Sequence, residues 1–408
     1  MHRRMNRIRQ KFSGQAPIYV MGMGHGAIHW TAGVFYMLLP FIAKTFDLSY
    51  AQAGFAVSTF HLAATLTNFV SGPTIDITGR MGAAQVISLL VSIVALALFP
   101  FAYMFPLLLV LVVAMAMANN FWHPAAISFL SLRYPDERGY ALSIHALGAN
   151  GGDAAAPVVV GTMLLTMSWQ TGAAVSAVPV IFVAALVAWL AWRERSRAKR
   201  GTAKPASDGL AIADYLQEVG KALKDRAVLI LALMAGLRTM TQNGLMAFLP
   251  LYLIDDLQVG AVFTGLILST MQGLGMASAP LGGILSDKKG RKPVVLVFLS
   301  LAAVATFVLT FLTTGMGFLI GAGALGFAIF AVRPVIHSWM MDITPPRLGA
   351  SATSLLFGVQ SGLSVLAPTI AGIIADRFGL GATLYLFAAF CAAAVVTTLA
   401  IPHRKPVP

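Results

Sequence analysis

Apolar runs alternate with short polar connections along nearly the whole chain. Each run has roughly 20 residues, enough to cross a hydrocarbon core of about 30 Å as a helix. The runs fall at about 17–44, 50–74, 82–104, 107–131, 139–165 and 170–192, and again at about 227–254, 260–285, 293–314, 317–340, 349–375 and 380–402. Twelve spans are therefore predicted. Several are interrupted by Pro or Gly, which membrane helices tolerate where neighbours satisfy the freed backbone groups.

The connections carry a repeat. Gly72-Pro73-Thr74-Ile75-Asp76-Ile77-Thr78-Gly79-Arg80 ends the second run, and Gly283-Ile284-Leu285-Ser286-Asp287-Lys288-Lys289-Gly290-Arg291-Lys292 ends the eighth, an offset of 211 residues. Each copy sets an acid four residues after a Gly, a second Gly three residues on, and then base. Pro40 and Pro250, Gly54 and Gly265, Pro124 and Pro334, Gly148 and Gly358, and Pro157 and Pro368 recur at offsets of 210 or 211. A duplicated membrane protein follows, with six-helix bundles at 1–193 and 227–408 joined by a linker at 194–226. The linker opens on the basic run Arg193–Arg200. Its second part, from Asp208 as N-cap, places Leu210, Tyr215, Leu216, Val219 and Leu223 near helical spacing, which predicts a short amphipathic helix on the inner membrane surface.

Composition sharpens the class. Of 408 residues, 58% are apolar and 11% charged, too few polar groups to coat soluble domains. The net charge of +13 raises the question of a nucleic-acid partner, but the bases sit in a few connections: the N-terminal tail, Arg193–Arg226, 288–292 and the C-terminus. That asymmetry is a topology signal, placing both termini on the cytoplasmic side of the inner membrane and leaving no nucleic-acid role. The single Cys391, inside an apolar run, excludes a disulfide framework and a thiolate cluster.

Twelve spans in two related halves, the paired Gly-x-x-x-Asp-x-x-Gly-Arg type turns and a long central loop resemble the major facilitator superfamily. Within it the chain is similar to the fosmidomycin-resistance branch of efflux proteins, through Gly24-His25 running to Pro40, Thr59-Phe60-His61-Leu62-Ala63, Phe121-Trp122-His123-Pro124, and Ser143-Ile144 through Gly148 to Pro157. The resemblance implies that spans 1, 4, 7 and 10 line a central cavity, 2, 5, 8 and 11 move, and 3, 6, 9 and 12 support. It also implies that the two turns, through Gly72, Asp76, Arg80, Gly283, Asp287 and Arg291, lock one conformational state without selecting substrate.

Ionisable groups deep in a bilayer are costly, by several kcal/mol on most scales, and so mark function. Those found away from loops and helix ends are His25 and His29 (span 1), His61 (span 2), His123 (span 4), His145 and Asp153 (span 5), Arg238 (span 7) and Arg333 (span 10). Arg238 lies about 18 Å past Arg226, near the midplane. There its planar fork suits a carboxylate or phosphate-like group, or else an ion pair with Asp153. Arg333 precedes Pro334 as His123 precedes Pro124, so a fixed and a titratable cation hold equivalent places and can face one anion; snorkelling of Arg333 and plain packing of His123 are the alternatives. His25 and His29 share a helix face and offer hydrogen bonds or a proton relay, but two imidazoles without a third ligand do not define a metal site. Trp30 and Tyr36 offer rings for an organic substrate or for packing. Asp153 is the candidate proton carrier, with His145 and His61 as relay, the alternative being a permanently ionised partner.

The leading expectation is a monomeric secondary transporter, touching membrane lipid, that exports a small organic anion or drug in exchange for protons. Proton-symport uptake and a non-transporting sensor or lipid-handling protein remain open. A Gly-x-x-x-x-Gly-Lys-Ser/Thr loop, a nucleophile elbow and a cofactor loop are all missing from the sequence, so neither an ATP-driven pump, an enzyme nor a cofactor is expected.

Overall fold

The computed structural model describes residues 2–198, 220, 225–313, 315–344 and 349–402; most of the predicted linker and its amphipathic helix lie outside them. The described helices are α1 (His2–Thr45), α2 (Tyr50–Thr78), α3 (Met81–Leu98), α4 (Phe105–Arg133), α5 (Arg138–Met163), α6 (Trp169–Val175), α7 (Ala177–Ala198), α8 (Arg226–Leu251), α9 (Ala261–Lys289), α10 (Arg291–Leu309), α11 (Met316–Ile343), α12 (Gly349–Phe378) and α13 (Gly381–Leu399). α6 and α7 together make the sixth predicted span, so the twelve spans are all present. Ten are long and apolar enough to cross a membrane by composition alone. The other two, α5 and α8, carry His145, Asn150 and Asp153, and Arg238, Gln242 and Asn243; it is this polar load that lowers their hydropathy.

Helix ends follow local chemistry. The Asp225 carboxylate caps α8 by accepting from the amides of Ala227 and Val228 (2.9 and 3.4 Å). Gly79 and Gly290, counterparts in the repeated turn, terminate α2 and α9 at φ +60° and +90°. That backbone conformation is open to Gly and strained for side-chain-bearing residues, which accounts for the second Gly of the motif.

By packing, the chain forms two compact units. Unit 1 holds residues 1–35, 66–156 and 167–207; unit 2 holds 36–65, 157–166 and 208–408. In unit 1 the fully buried Trp122 lies in a core with Ile18, Met21, Ile28, Leu89 and Val187. A Cβ on Gly24 would overlap its indole ring. α1 meets α5 through two four-residue glycine spacings, Gly22 and Gly26 on one and Gly148 and Gly152 on the other. A Cβ on Gly148 would run into the Gly22 carbonyl, and one on Gly152 into the Gly26 carbonyl. Small residues at such spacing let membrane helices approach backbone to backbone.

Unit 2 shows the repeat as paired contacts. Gly54 of α2 lies against the Pro368 carbonyl of α12, and its counterpart Gly265 of α9 lies against the Pro157 carbonyl of α5. Gly372 meets the Tyr50 carbonyl as Gly161 meets that of Ala261. Ser58 Oγ and Thr369 Oγ1 are 2.8 Å apart; in the matching place the Val158 amide donates to Ser269 Oγ at 3.2 Å. The match fails at one point. The amides of Tyr50 and Ala51, at the start of α2, donate to the Asp376 carboxylate (2.8 and 3.0 Å), whereas the residue answering Asp376 is the exposed Leu165.

Candidate functional site

The glycine seam between α1 and α5 sets the geometry of a histidine cluster in unit 1. It brings His145 beside His25, with ring centroids 3.8 Å apart and planes 18° from parallel. Asp153, two turns further along α5, reaches His29, with Oδ2 to Nδ1 at 3.0 Å. α4 supplies His123, whose Nε2 is 3.2 Å from His25 Nε2.

The neighbours assign the protons. His25 Nδ1 faces the His145 carbonyl at 2.8 Å, and His123 Nδ1 faces the Asn119 carbonyl at 2.7 Å. A carbonyl oxygen only accepts, so both Nδ1 atoms carry hydrogen. The Trp122 indole N–H only donates, and it points at His145 Nε2 (3.3 Å), so His145 also keeps its hydrogen on Nδ1. His29 Nδ1 donates in turn to the Asp153 carboxylate. Three rings, His25, His123 and His145, therefore have their tautomers set by partners of fixed polarity. His25 is buried; His29 and Asp153 are each about a quarter exposed.

Unit 2 holds a different kind of charge. Arg238 is buried, and its Nε and Nη2 donate to the Ile329 carbonyl of α11 (3.0 and 2.9 Å), with the guanidinium 5.8 Å from the Phe330 ring. Its Nη1 has no hydrogen-bond partner among the described residues. Arg333, one turn past Ile329, is exposed and close enough to act on Arg238 electrostatically. His337, another turn on, stands with its ring 5.2 Å from Phe357. It was passed over in the sequence because the predicted span stops at 340, which made it a helix end, whereas α11 continues to Ile343.

The remaining predicted residues divide. Tyr36 Oη and His61 Nε2 are 3.2 Å apart within unit 2. Trp30 spends its indole N–H on the Ser176 carbonyl at 3.0 Å, an anchor for α6. Thr239 donates to Gln360 Oε1 (3.1 Å) and Asn243 Nδ2 to Ser364 Oγ (3.0 Å).

The two turns differ. In the second, Arg291 pairs with Asp287, donates to Ser286 Oγ (2.7 Å) and reaches Asp342 of α11 at 2.8 Å. In the first, Asp76 and Arg80 are exposed, and Ser131 of α4 stands where the repeat puts Asp342. Gly72 and Gly283 face open space, so sterics do not demand glycine there.

Comparison with known proteins settles the family. The family model for the Major Facilitator Superfamily matches residues 21–361 and 231–408. The chain belongs to the major facilitator superfamily. Among similar members, an MFS-type transporter of Bacillus subtilis strain 168 (YfnC) is 23% identical over 376 residues, covering 91% of this chain and 89% of that one. A fosmidomycin resistance protein of Escherichia coli strain K12 is 22% identical over 376 residues, covering 90% and 88%. Of solved structures, a bacterial homologue of the human lysosomal transporter Spinster, inward-facing and occupied, superposes with a TM-score of 0.77 at 18% identity, covering 94% of this chain and 96% of that one. A D-xylose–proton symporter superposes at 0.76 with 14% identity, covering 95% and 97%. Membership makes this a multi-pass membrane transporter and not an enzyme, and its all-helical fold is that of the superfamily.

Proposed function

We propose that this transporter exports a small organic anion or drug across the cytoplasmic membrane in exchange for protons, by alternating access, as a monomer with both termini cytoplasmic. The observation that carries the anion is Arg238: a buried guanidinium bonded, among the described residues, only to a carbonyl, which neutralises none of its charge and leaves Nη1 over for a ligand. A buried cation without a counter-ion is expensive, and an anionic cargo supplies the missing charge. Arg333 adds a second positive charge nearby. Asp153, paired with His29, is the proton carrier, with His145 and His61 as relay, the latter within hydrogen-bond reach of Tyr36 Oη.

The paired Gly–carbonyl contacts of α2 on α12 and α9 on α5 form in one state and part in the other, and the Arg291 network steadies one of them. The direction rests on relatives that confer resistance, the fosmidomycin protein and a class H tetracycline resistance protein of Pasteurella multocida. The test is an unbiased thermal-shift screen of organic anions and drugs on purified protein, followed by flux of the best ligand in proteoliposomes under an imposed pH gradient. Ligand leaving the cytoplasmic-side compartment against its gradient as protons enter is the expected result. Co-movement of ligand and proton would convert the reading to uptake, and absence of flux would end it.

A further inference from the structure

The histidine cluster holds a contact that neutral side chains cannot make favourably. His25 and His123 both carry a hydrogen on Nδ1, committed to carbonyls, so as neutral rings they turn the acceptor sides of their Nε2 atoms toward each other at 3.2 Å. A shared proton or a metal ion would make that contact favourable, and the positions of the surrounding ligands favour the metal. We propose that this cluster is a binding site for a borderline divalent transition-metal ion, of the zinc, cobalt and nickel class, with His25, His29 and His123 as ligands.

Three independent features support it. The first is distance. Imidazole nitrogens bind such ions at about 2.0–2.1 Å, so two ligands at a tetrahedral angle stand about 3.3–3.4 Å apart, and the His25–His123 separation is already within about 0.2 Å of that. The second is the third ligand, which the i, i+4 pair on α1 lacked in the sequence and which α4 provides. One ligating nitrogen from each of the three rings lies within 4.8 Å of the others, so His29 needs to move by about 1.5 Å to complete a tripod. The third is the outer shell. Metal-binding imidazoles characteristically donate their other nitrogen to a carbonyl or carboxylate, and all three rings do so, to the His145 carbonyl, the Asp153 carboxylate and the Asn119 carbonyl. Trp122 and the stacked His145 hold the inner wall, since the indole fixes His145 and His145 packs flat on His25. A single carboxylate, Asp153, offsets part of the ion's charge without occupying a ligand position, and three imidazoles leave a fourth position open. All of these residues belong to unit 1, and the site does not depend on the anion reading at Arg238.

The experiment is a Co2+ titration of the purified full chain with any affinity tag removed, read by the visible absorption of tetrahedral cobalt and its displacement by Zn2+. The expected result is one ion per chain and loss of the visible bands in His123→Gln, with Asp153→Asn binding about tenfold more weakly through loss of the outer-shell partner. His337→Gln, outside the cluster, should bind as the parent does. Monodispersity and thermal unfolding of each variant are recorded alongside; should His123→Gln fail to fold, His29→Gln gives the same readout. Failure of cobalt to saturate at one equivalent, only weak octahedral absorption, or bands unchanged in the ligand variants would each overturn the site, while transport of an anion through Arg238 would stand or fall separately.

Discussion

The face of α1 on α5 and the face of α8 on α12 are two copies of one design, and their polar contents have diverged. In the first, Gly152 makes room against α1, His25 projects into the cluster and Asp153 holds His29. In the second, the offset that relates Pro40 to Pro250 answers His25 with Ala235 and Gly26 with Gly236, and Gly236 packs on Leu363, which answers Gly152. Asp153 is answered by Ser364, which accepts from Asn243, beside the Thr239–Gln360 bond. One copy carries imidazoles and a carboxylate; the other has neutral polar groups there and its charge in Arg238, on the α11 side of α8. The two copies thus share a seam between helices and differ in what they hang on it: imidazoles and a carboxylate in one, neutral hydrogen bonds and a separate guanidinium in the other.

Several experiments would break or sharpen that division. The largest effect is expected from Arg238→Ala, which should weaken anion binding by more than about 100-fold, in keeping with about 3 kcal/mol for a charge-assisted hydrogen bond. Ligand-dependent thermal shift measures it, and unchanged affinity would remove the fixed charge from the comparison. Arg238→Lys should recover only part, because an ammonium cannot hold the Ile329 carbonyl and a ligand with one planar fork. Next comes Asp153→Asn, which should abolish pH-driven accumulation in proteoliposomes while leaving ligand exchange; full pH-driven transport would show that the titratable copy is not what couples.

Gly148→Val tests the scaffold beneath the cluster. Its side chain meets the Gly22 carbonyl, so a cost of about 1–3 kcal/mol is expected in thermal unfolding of the detergent-solubilised protein. Gly358→Val, at the corresponding place in the second copy, faces open space and should cost much less. The smallest effect belongs to the mismatch at Asp376. Asp376→Ala should cost about 1 kcal/mol as a lost N-terminal cap on α2, and Leu165→Asp should return a comparable or smaller amount by capping α9. A Leu165→Asp variant with no gain would mean that the two helix starts are not equivalent in geometry.

Much of the architecture was readable from the residues because lipid imposes so few options. Apolar runs of about span length were enough to place even α5 and α8, which fall short of a strict hydropathy criterion. The Gly54–Gly265 and Pro157–Pro368 correspondences were visible as a pattern, but that each glycine meets the proline carbonyl of the other copy is a fact of three-dimensional packing. The site was legible as a set of residue types and much less as a set of partners. His25, His123 and His145 were picked out for being ionisable in a bilayer; which nitrogen of each carries hydrogen depends on carbonyls at Asn119 and His145 and on the Trp122 indole, and backbone acceptors leave no trace in composition. Trp30 was legible as a ring for a substrate or for packing, whereas the Ser176 carbonyl that takes its N–H was not. The four-residue glycine spacings on α1 and α5 were in the sequence to be found, and they are the signal that would have paired those helices.

The contacts at Gly54, Gly265, Gly161 and Gly372 are made by main-chain carbonyls lying on bare α-carbons. The glycine contacts themselves fix no rotamer, so parting helices would have to release the polar contacts beside them, Ser58 with Thr369, Val158 with Ser269 and the Asp376 cap.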